Sequence, residues 1–213
     1  MRWLFPLLSL SLNACGDKRT GETQPDHAIV RLTEADARGL DAQMVSDLAS
    51  TRIAGDLFEG LTRFDASGNA EAGLAETWKT SVDGRSWTFR LRPELTFSDG
   101  QRLNADVFRR AFDRIRNEKS GSPHGALFEI IESVATPDDR TVVIRLENPF
   151  PQLPALLAHP AMAALPFHRI DAADDKWTSD RPLVTSGAYR LTDWQLSQKL
   201  VLDANPLWHG GKP

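Results

Sequence analysis

Residues Gly73 to Ile115 read GLAETWKTSVDGRSWTFRLRPELTFSDGQRLNADVFRRAFDRI, and this stretch decides the fold. Leu74 to Thr80 is a short strand candidate, followed by Val82-Asp83-Gly84-Arg85, whose Asp-Gly dipeptide tolerates the positive φ of a hairpin turn. Trp87, Phe89 and Leu91 then alternate with Ser86, Thr88, Arg90 and Arg92, the period of a half-buried strand, and Pro93 ends it. Thr96-Phe97-Ser98-Asp99-Gly100 makes a second turn. Asn104 is placed to cap a helix whose first turn carries Asp106, a favourable charge at that end. Within that helix Val107, Phe108, Ala111, Phe112 and Ile115 share one side, while Arg109, Arg110, Asp113 and Arg114 share the other. A hairpin passing through a turn into an amphipathic helix implies a mixed α/β unit.

Outward from this stretch the same signals recur. Ala49, Ile53, Leu57 and Leu61 repeat every fourth residue and predict a helix with an apolar stripe, and His27 to Leu32 should be a strand. Ile130–Val134 and Thr141–Leu146 form a second hairpin candidate, turned at Pro137-Asp138-Asp139-Arg140, with Val142, Ile144 and Leu146 on its buried face. Leu153, Leu156 and Leu157 make a short apolar helix face ending near His159-Pro160. Ala172 to Asp180 reads as an acidic loop, Gly187–Leu191 and Lys199–Asp203 as the last strands, and Trp194 and Trp208 as rings buried against a sheet.

Composition narrows the function. The chain has 213 residues, of which 41% are hydrophobic, enough to bury a sizeable core. Its net charge of -4 offers no electrostatic footprint to nucleic acid, which is excluded as a partner. The single cysteine, Cys15, rules out an internal disulfide framework and a multi-thiolate metal site. Met1-Arg2 is a minimal positive region and Trp3 to Leu12 an apolar segment too short to span a bilayer; Leu12-Asn13-Ala14-Cys15 resembles a lipobox. Residues 1–15 thus read as a lipoprotein signal peptide that leaves Cys15 as the acylated N-terminus, the alternative being an ordinary secretory leader with an incidental cysteine. Residues 16–26, polar and rich in Gly and Thr, read as a flexible tether, and 27–213 as the folded part.

The order LAE.W, DG, WTF.LR, F.DG and a helix opened by N-A-D-V resembles the signature of the family 5 extracytoplasmic solute-binding proteins, the peptide-, dipeptide- and nickel-type receptors of ABC importers. Asp56-Leu57-Phe58-Glu59-Gly60-Leu61 resembles that family's LFEGL helix end, and Thr185-Ser186-Gly187-Ala188-Tyr189 its T-(N/G)-G-(A/P)-Y strand. Leu40-Asp41 resembles the family's LDP after the first strand, with Ala42 in place of the proline, and Asp175-Lys176-Trp177-Thr178 and Val201 to Pro206 are similar to the oligopeptide-binding branch. The resemblance implies a type II periplasmic-binding-protein architecture, of which this chain would form an incomplete first lobe. It also implies capture of short peptides in the periplasm or cell envelope, hand-over to a permease and ATPase, and no cofactor; attachment to the membrane through a lipid anchor is what the lipobox at Cys15 implies. With ligand closed between two lobes in such receptors, one lobe alone is expected to hold peptide weakly.

From the same resemblance come the site residues. The loop before the first helix would lie along the cleft, which carries over Ser46 and Leu48; Ser46 is equally suited to cap the helix. Ser122-Pro123-His124 resembles a segment whose third residue faces ligand, and His159 resembles a cleft-lining histidine. By residue type alone His124 reads as a solvated loop histidine. His124, His159 and His168 have no i, i+4 pairing of the kind that holds a metal, so no metal is expected.

No Gly-x-Ser-x-Gly elbow, phosphate-cradling glycine loop or His-Glu-x-x-His helix is present, so an enzyme is not expected. The alternatives are an envelope lipoprotein that binds partners without transport, a nickel- or other small-solute-binding member of the same family, and a secreted hydrolase.

Overall fold

The computed structural model describes residues 35–179, 181–211 and 213. Cys15, the leader, the tether and the strand expected at His27–Leu32 lie outside the described residues. The chain order is helix α1 (Leu48–Leu57), strands β1 (Thr62–Phe64), β2 (Ala70–Ala72), β3 (Ala75–Thr80) and β4 (Ser86–Leu91), then α2 (Asp106–Arg116), β5 (Ile131–Asp138) and β6 (Thr141–Leu146). Two short helices, α3 (Leu153–Leu157) and α4 (Phe167–Ala173), precede β7 (Tyr189–Gln195) and β8 (Lys199–Ala204). The central sheet is four-stranded and antiparallel, in the order β3-β4-β6-β5, while β1-β2 and β7-β8 are separate ribbons.

The two expected hairpins form the central sheet. Gly84 takes φ +68° at the first turn, and the register sets Trp78 opposite Phe89 and Phe89 opposite Val142. Alternation therefore puts Trp87, Phe89 and Leu91 with Val142, Ile144 and Leu146 on one buried face. Helix α2 packs on β5 and β6, burying Val107, Phe108, Ala111, Phe112 and Ile115. Each large apolar side chain so buried contributes ~1.5–3 kcal/mol, which an isolated helix of this length lacks.

Several local expectations are corrected. Asn104 does not cap α2: Ala105 before it is already helical (φ -61°, ψ -29°) and donates its N–H to Asp139 O, so the entry is held by the β5–β6 turn. Helix α1 stops at Leu57 because Phe58 turns extended (φ -129°, ψ 137°), and its buried side is Ser50, Ala54 and Leu57 rather than a stripe from Ala49 to Leu61. A strict four-residue spacing drifts around a helix of 3.6 residues per turn, so such a stripe cannot stay on one side. The stretch expected as an acidic loop is helical, through α4 and a tight turn at Asp174–Ser179, because Trp177 buries there against the edge of Phe58, 5.8 Å between ring centroids. Trp194 is half-buried against the core, and Trp208 is half-buried with the Arg63 guanidinium of β1 over its ring, 5.5 Å from the centroid, while its Nε1–H donates to the buried Glu59 carboxylate at 2.6 Å. The ribbon β1-β2 was not anticipated; three-residue strands carry no readable period, and the ribbon rests on a turn in which Asp65 accepts from the Ser67 and Asn69 amides.

Close backbone approach places β7 against α1. The Gly187 N–H donates to Leu57 O at 2.8 Å, and a Cβ at Gly187 would stand 2.7 Å from the Leu57 carbonyl carbon, so only glycine fits.

Candidate functional site

The loop entering α1 is pinned at nearly every residue. Asp41 accepts Arg114 Nη2 at 2.6 Å and Nη1 at 3.1 Å, and Trp177 Nε1 at 3.1 Å. Its Oδ1 also takes the Gln43 N–H at 3.0 Å. The Gln43 side chain, wholly buried, donates to Ala111 O of α2 and to Ala161 O, and its main-chain O accepts the Ser122 hydroxyl at 2.6 Å. Two residues on, Val45 O lies 2.7 Å from His124 Nε2. A carbonyl only accepts, so Nε2 carries the hydrogen and neutral His124 keeps Nδ1 as its acceptor.

His124 and His159 are neighbours, their ring centroids 4.9 Å apart, with the Phe128 ring edge-on to His159. His159 Nδ1 accepts the Ala161 N–H at 3.1 Å and thereby caps the turn Pro160–Met162. Burial, and then the nearby His124, push the His159 imidazole below its ordinary value, so it stays neutral more readily. The burial of His124 contradicts its reading as a solvated loop histidine.

At the far end of the loop Asp47 is the cap: its Oδ1 accepts the Ser50 N–H at 2.9 Å, which with the Ser50 hydroxyl holds the carboxyl below the usual range despite some burial. The capping role considered for Ser46 therefore falls to its neighbour, because Asp47 has the extended backbone (φ -78°, ψ 152°) that aims an oxygen back at the helix. Ser46 is exposed, and Leu48 is 65% exposed, unusual for a leucine at a helix start. Ser46 and Asp47 border a cleft of about 340 Å³ together with Arg38, Met44 and Thr178; Leu48 and the two histidines do not border it.

The structure thus gathers His124, His159 and the main chain of Val45, leaves Ser46 and Leu48 as outward-facing side chains next along the loop, and sets His168 apart. His168 Nε2 lies 2.9 Å from Asp99. Burial raises the Asp99 carboxyl, but His168, the Gln101 N–H and Arg169 outweigh it and hold it below its ordinary value. Among the described residues no group of three or more His, Cys, Asp or Glu side chains converges as metal ligands would. Ser122 spends its hydroxyl on Gln43 O, so the serine beside His124 is not paired with it as a nucleophile with a base. What the arrangement offers is a fixed loop edge with polar and apolar side chains facing outward, suited to hydrogen-bonded recognition.

Gln43, Arg114 and Trp177 were not singled out from the sequence as parts of the site. The available signal was a glutamine between Ala42 and Met44, in a segment whose neighbours Leu40 and Val45 are buried.

Known proteins are similar to this chain in sequence and in fold. The chain is 30% identical over 228 residues to the periplasmic oligopeptide-binding protein OppA of Escherichia coli, covering 98% of this chain and 42% of that protein. It is 29% identical over 222 residues to the probable deoxycholate-binding periplasmic protein YgiS of the same organism, covering 96% and 42%. Its fold superposes on Haemophilus influenzae OppA in complex with RPPGFSPFR with a TM-score of 0.80 and 26% identity, over 83% of this chain and 38% of that one. The mixed helix-and-sheet architecture is that of periplasmic binding proteins at partial coverage, and the chain spans about two-fifths of the length of the curated relatives it matches, 42%. Residues 69–213 match the model of the bacterial extracellular solute-binding proteins, family 5 Middle, and the chain belongs to that family.

Proposed function

We propose that the chain is the first-lobe part of the substrate-binding component of an ABC peptide importer. It takes short peptides outside the cytoplasmic membrane and presents them to a permease and its ATPase, with no chemical step of its own. The observation that carries this reading is the likeness, across 83% of the chain, to an OppA solved with the peptide RPPGFSPFR. Ser46 and Leu48 are the proposed side-chain contacts, with His159 and His124 forming the wall behind the loop. An extended peptide lies along that loop and is held mainly through its backbone, which makes recognition tolerant of side chains. None of the four is a fixed charge, so no one peptide sequence is strongly preferred. Residues 1–15 are the proposed leader and 16–26 the tether, with Cys15 lipidated and the protein held at the envelope membrane; labelling with palmitate, lost in Cys15→Ser, checks this.

The test is a titration of the ¹⁵N-labelled chain with trialanine, trilysine and triglutamate at high concentration. Saturable shifts centred on Ser46, Leu48 and His159, with affinities within about tenfold of one another (1.4 kcal/mol), support the reading. Binding of deoxycholate or nickel(II) at those residues, with no response to any of the three peptides, overturns it.

A further inference from the structure

Gln43 is a polar residue with no exposed surface, and each side-chain polar group is used. Nε2 donates to Ala111 O at 2.8 Å and to Ala161 O at 3.1 Å, while Oε1 accepts Arg114 Nη1 at 2.9 Å. The two carbonyls fix which end of the amide is nitrogen. These partners belong to α2 and to the turn after α3, 68 and 118 residues away from Gln43 in the chain for the two carbonyls. Only Met44, Val45 and Ser46 separate this anchor from Asp47, the cap of α1, and within that interval Val45 O takes His124 Nε2–H. The chain from Gln43 to Leu48 therefore has little slack: where Gln43 sits decides where Ser46 and Leu48 face outward.

We infer that Gln43 is a positioning residue, which touches no ligand but sets the place of the outward-facing loop edge, so that ligand affinity depends on a wholly buried amide. A methionine of similar length leaves two carbonyls and a guanidinium nitrogen without that partner, and a glutamate keeps the Arg114 contact while setting a carboxylate against the two carbonyls. Either change strains the anchor while leaving the β4–β6 core untouched. The inference rests on the peptide-binding reading of this loop, and its test separates the two.

Gln43→Met, the milder Ser122→Ala, which removes the 2.6 Å bond to Gln43 O and the 3.3 Å acceptor of the His124 main-chain N–H, and the distant core control Val142→Ala are compared with the unaltered chain. Three readouts are taken: amide exchange at Met44 and Val45, both of which donate to Asp41 O; the ¹⁵N signature of the His124 Nε2–H tautomer; and trialanine affinity. Gln43→Met is expected to speed Met44 and Val45 exchange about tenfold relative to the β4 amides, to release the His124 tautomer and to weaken trialanine about tenfold. Ser122→Ala should move each readout in the same direction by about threefold, whereas Val142→Ala should speed loop and β4 exchange in proportion and leave the tautomer fixed. Loop exchange and tautomer unchanged in both loop variants, or loop exchange rising only in step with β4, overturns the inference. If the unaltered chain takes no trialanine, the peptide reading fails, and exchange with the tautomer still decides what Gln43 does.

Discussion

Replacing Arg114 by alanine removes a guanidinium that holds Asp41 through two contacts, at 2.6 and 3.1 Å. The side chains are 15% and 13% exposed, so the pair is mostly withdrawn from water. Removing one partner of a fully buried pair costs ~3–5 kcal/mol, because the other charge stays behind unpaired, whereas an exposed pair is worth under ~1 kcal/mol. Asp41 lies between these limits, for it keeps some water and retains the Trp177 Nε1–H at 3.1 Å and the Gln43 N–H at 3.0 Å. The expected loss is therefore about 2–3 kcal/mol. In a chain of 213 residues each kcal/mol moves Tm by roughly 2–4 °C, giving a fall of about 4–12 °C. Thermal and urea denaturation measure it, and a double-mutant cycle with Asp41→Asn isolates the coupling. Arg114 also donates to Gln43 Oε1, so Arg114→Lys, with a single ammonium in place of the fork, should recover only part of the loss. A loss below about 0.5 kcal/mol, or strictly additive single variants, would refute the reasoning.

Because the folded His159 titrates below 6.5, the unfolded chain binds that proton first as pH falls; stability should be full above pH 6.5 and decline below it, seen as a falling urea midpoint that His159→Phe flattens. Asp47→Ala should cost about 1 kcal/mol and Ser46→Ala no more than about 0.5, and equal losses in urea unfolding would contradict the assignment of the cap. Gly187→Ala puts a methyl group 2.7 Å from the Leu57 carbonyl carbon and 2.8 Å from Asp56 O, so it should lower stability by at least ~1–3 kcal/mol; an unchanged melting curve would show that α1 and β7 separate easily.

What was legible in the sequence is what local physics repeats. Asp83-Gly84 and the alternation of Trp87, Phe89 and Leu91 carry a hairpin wherever they occur, and five apolar residues on one side of α2 carry a helix on a sheet. Errors arose where a neighbour distant in sequence decides. Asn104 has the chemistry of a cap, but the Asp139 carbonyl draws Ala105 into helical geometry first. Residues 172–179 are polar enough for a loop, yet they run in helical turns about the fully buried Trp177.

The site divides along the same line. Residue types at Ser46, Leu48, His124 and His159 are visible in the sequence, and the family resemblance implies an address for them, Ser46 and Leu48 on the loop before α1 and the two histidines at the cleft, but an address does not say which nitrogen donates. His124 carries its hydrogen on Nε2 because Val45 O faces it, and His159 keeps Nδ1 bare because the Ala161 amide points at it. Those partners lie 79 residues away in one case and two in the other, so only the second was within reach of local reasoning. The Arg114–Gln43 and Trp177–Asp41 contacts span 71 and 136 residues. A side chain that works by closing such distances has no spacing to betray it. Buried Gln43 joins α2, the turn after α3 and the loop entering α1, and it does so with an amide whose donors and acceptor match two carbonyls and a guanidinium.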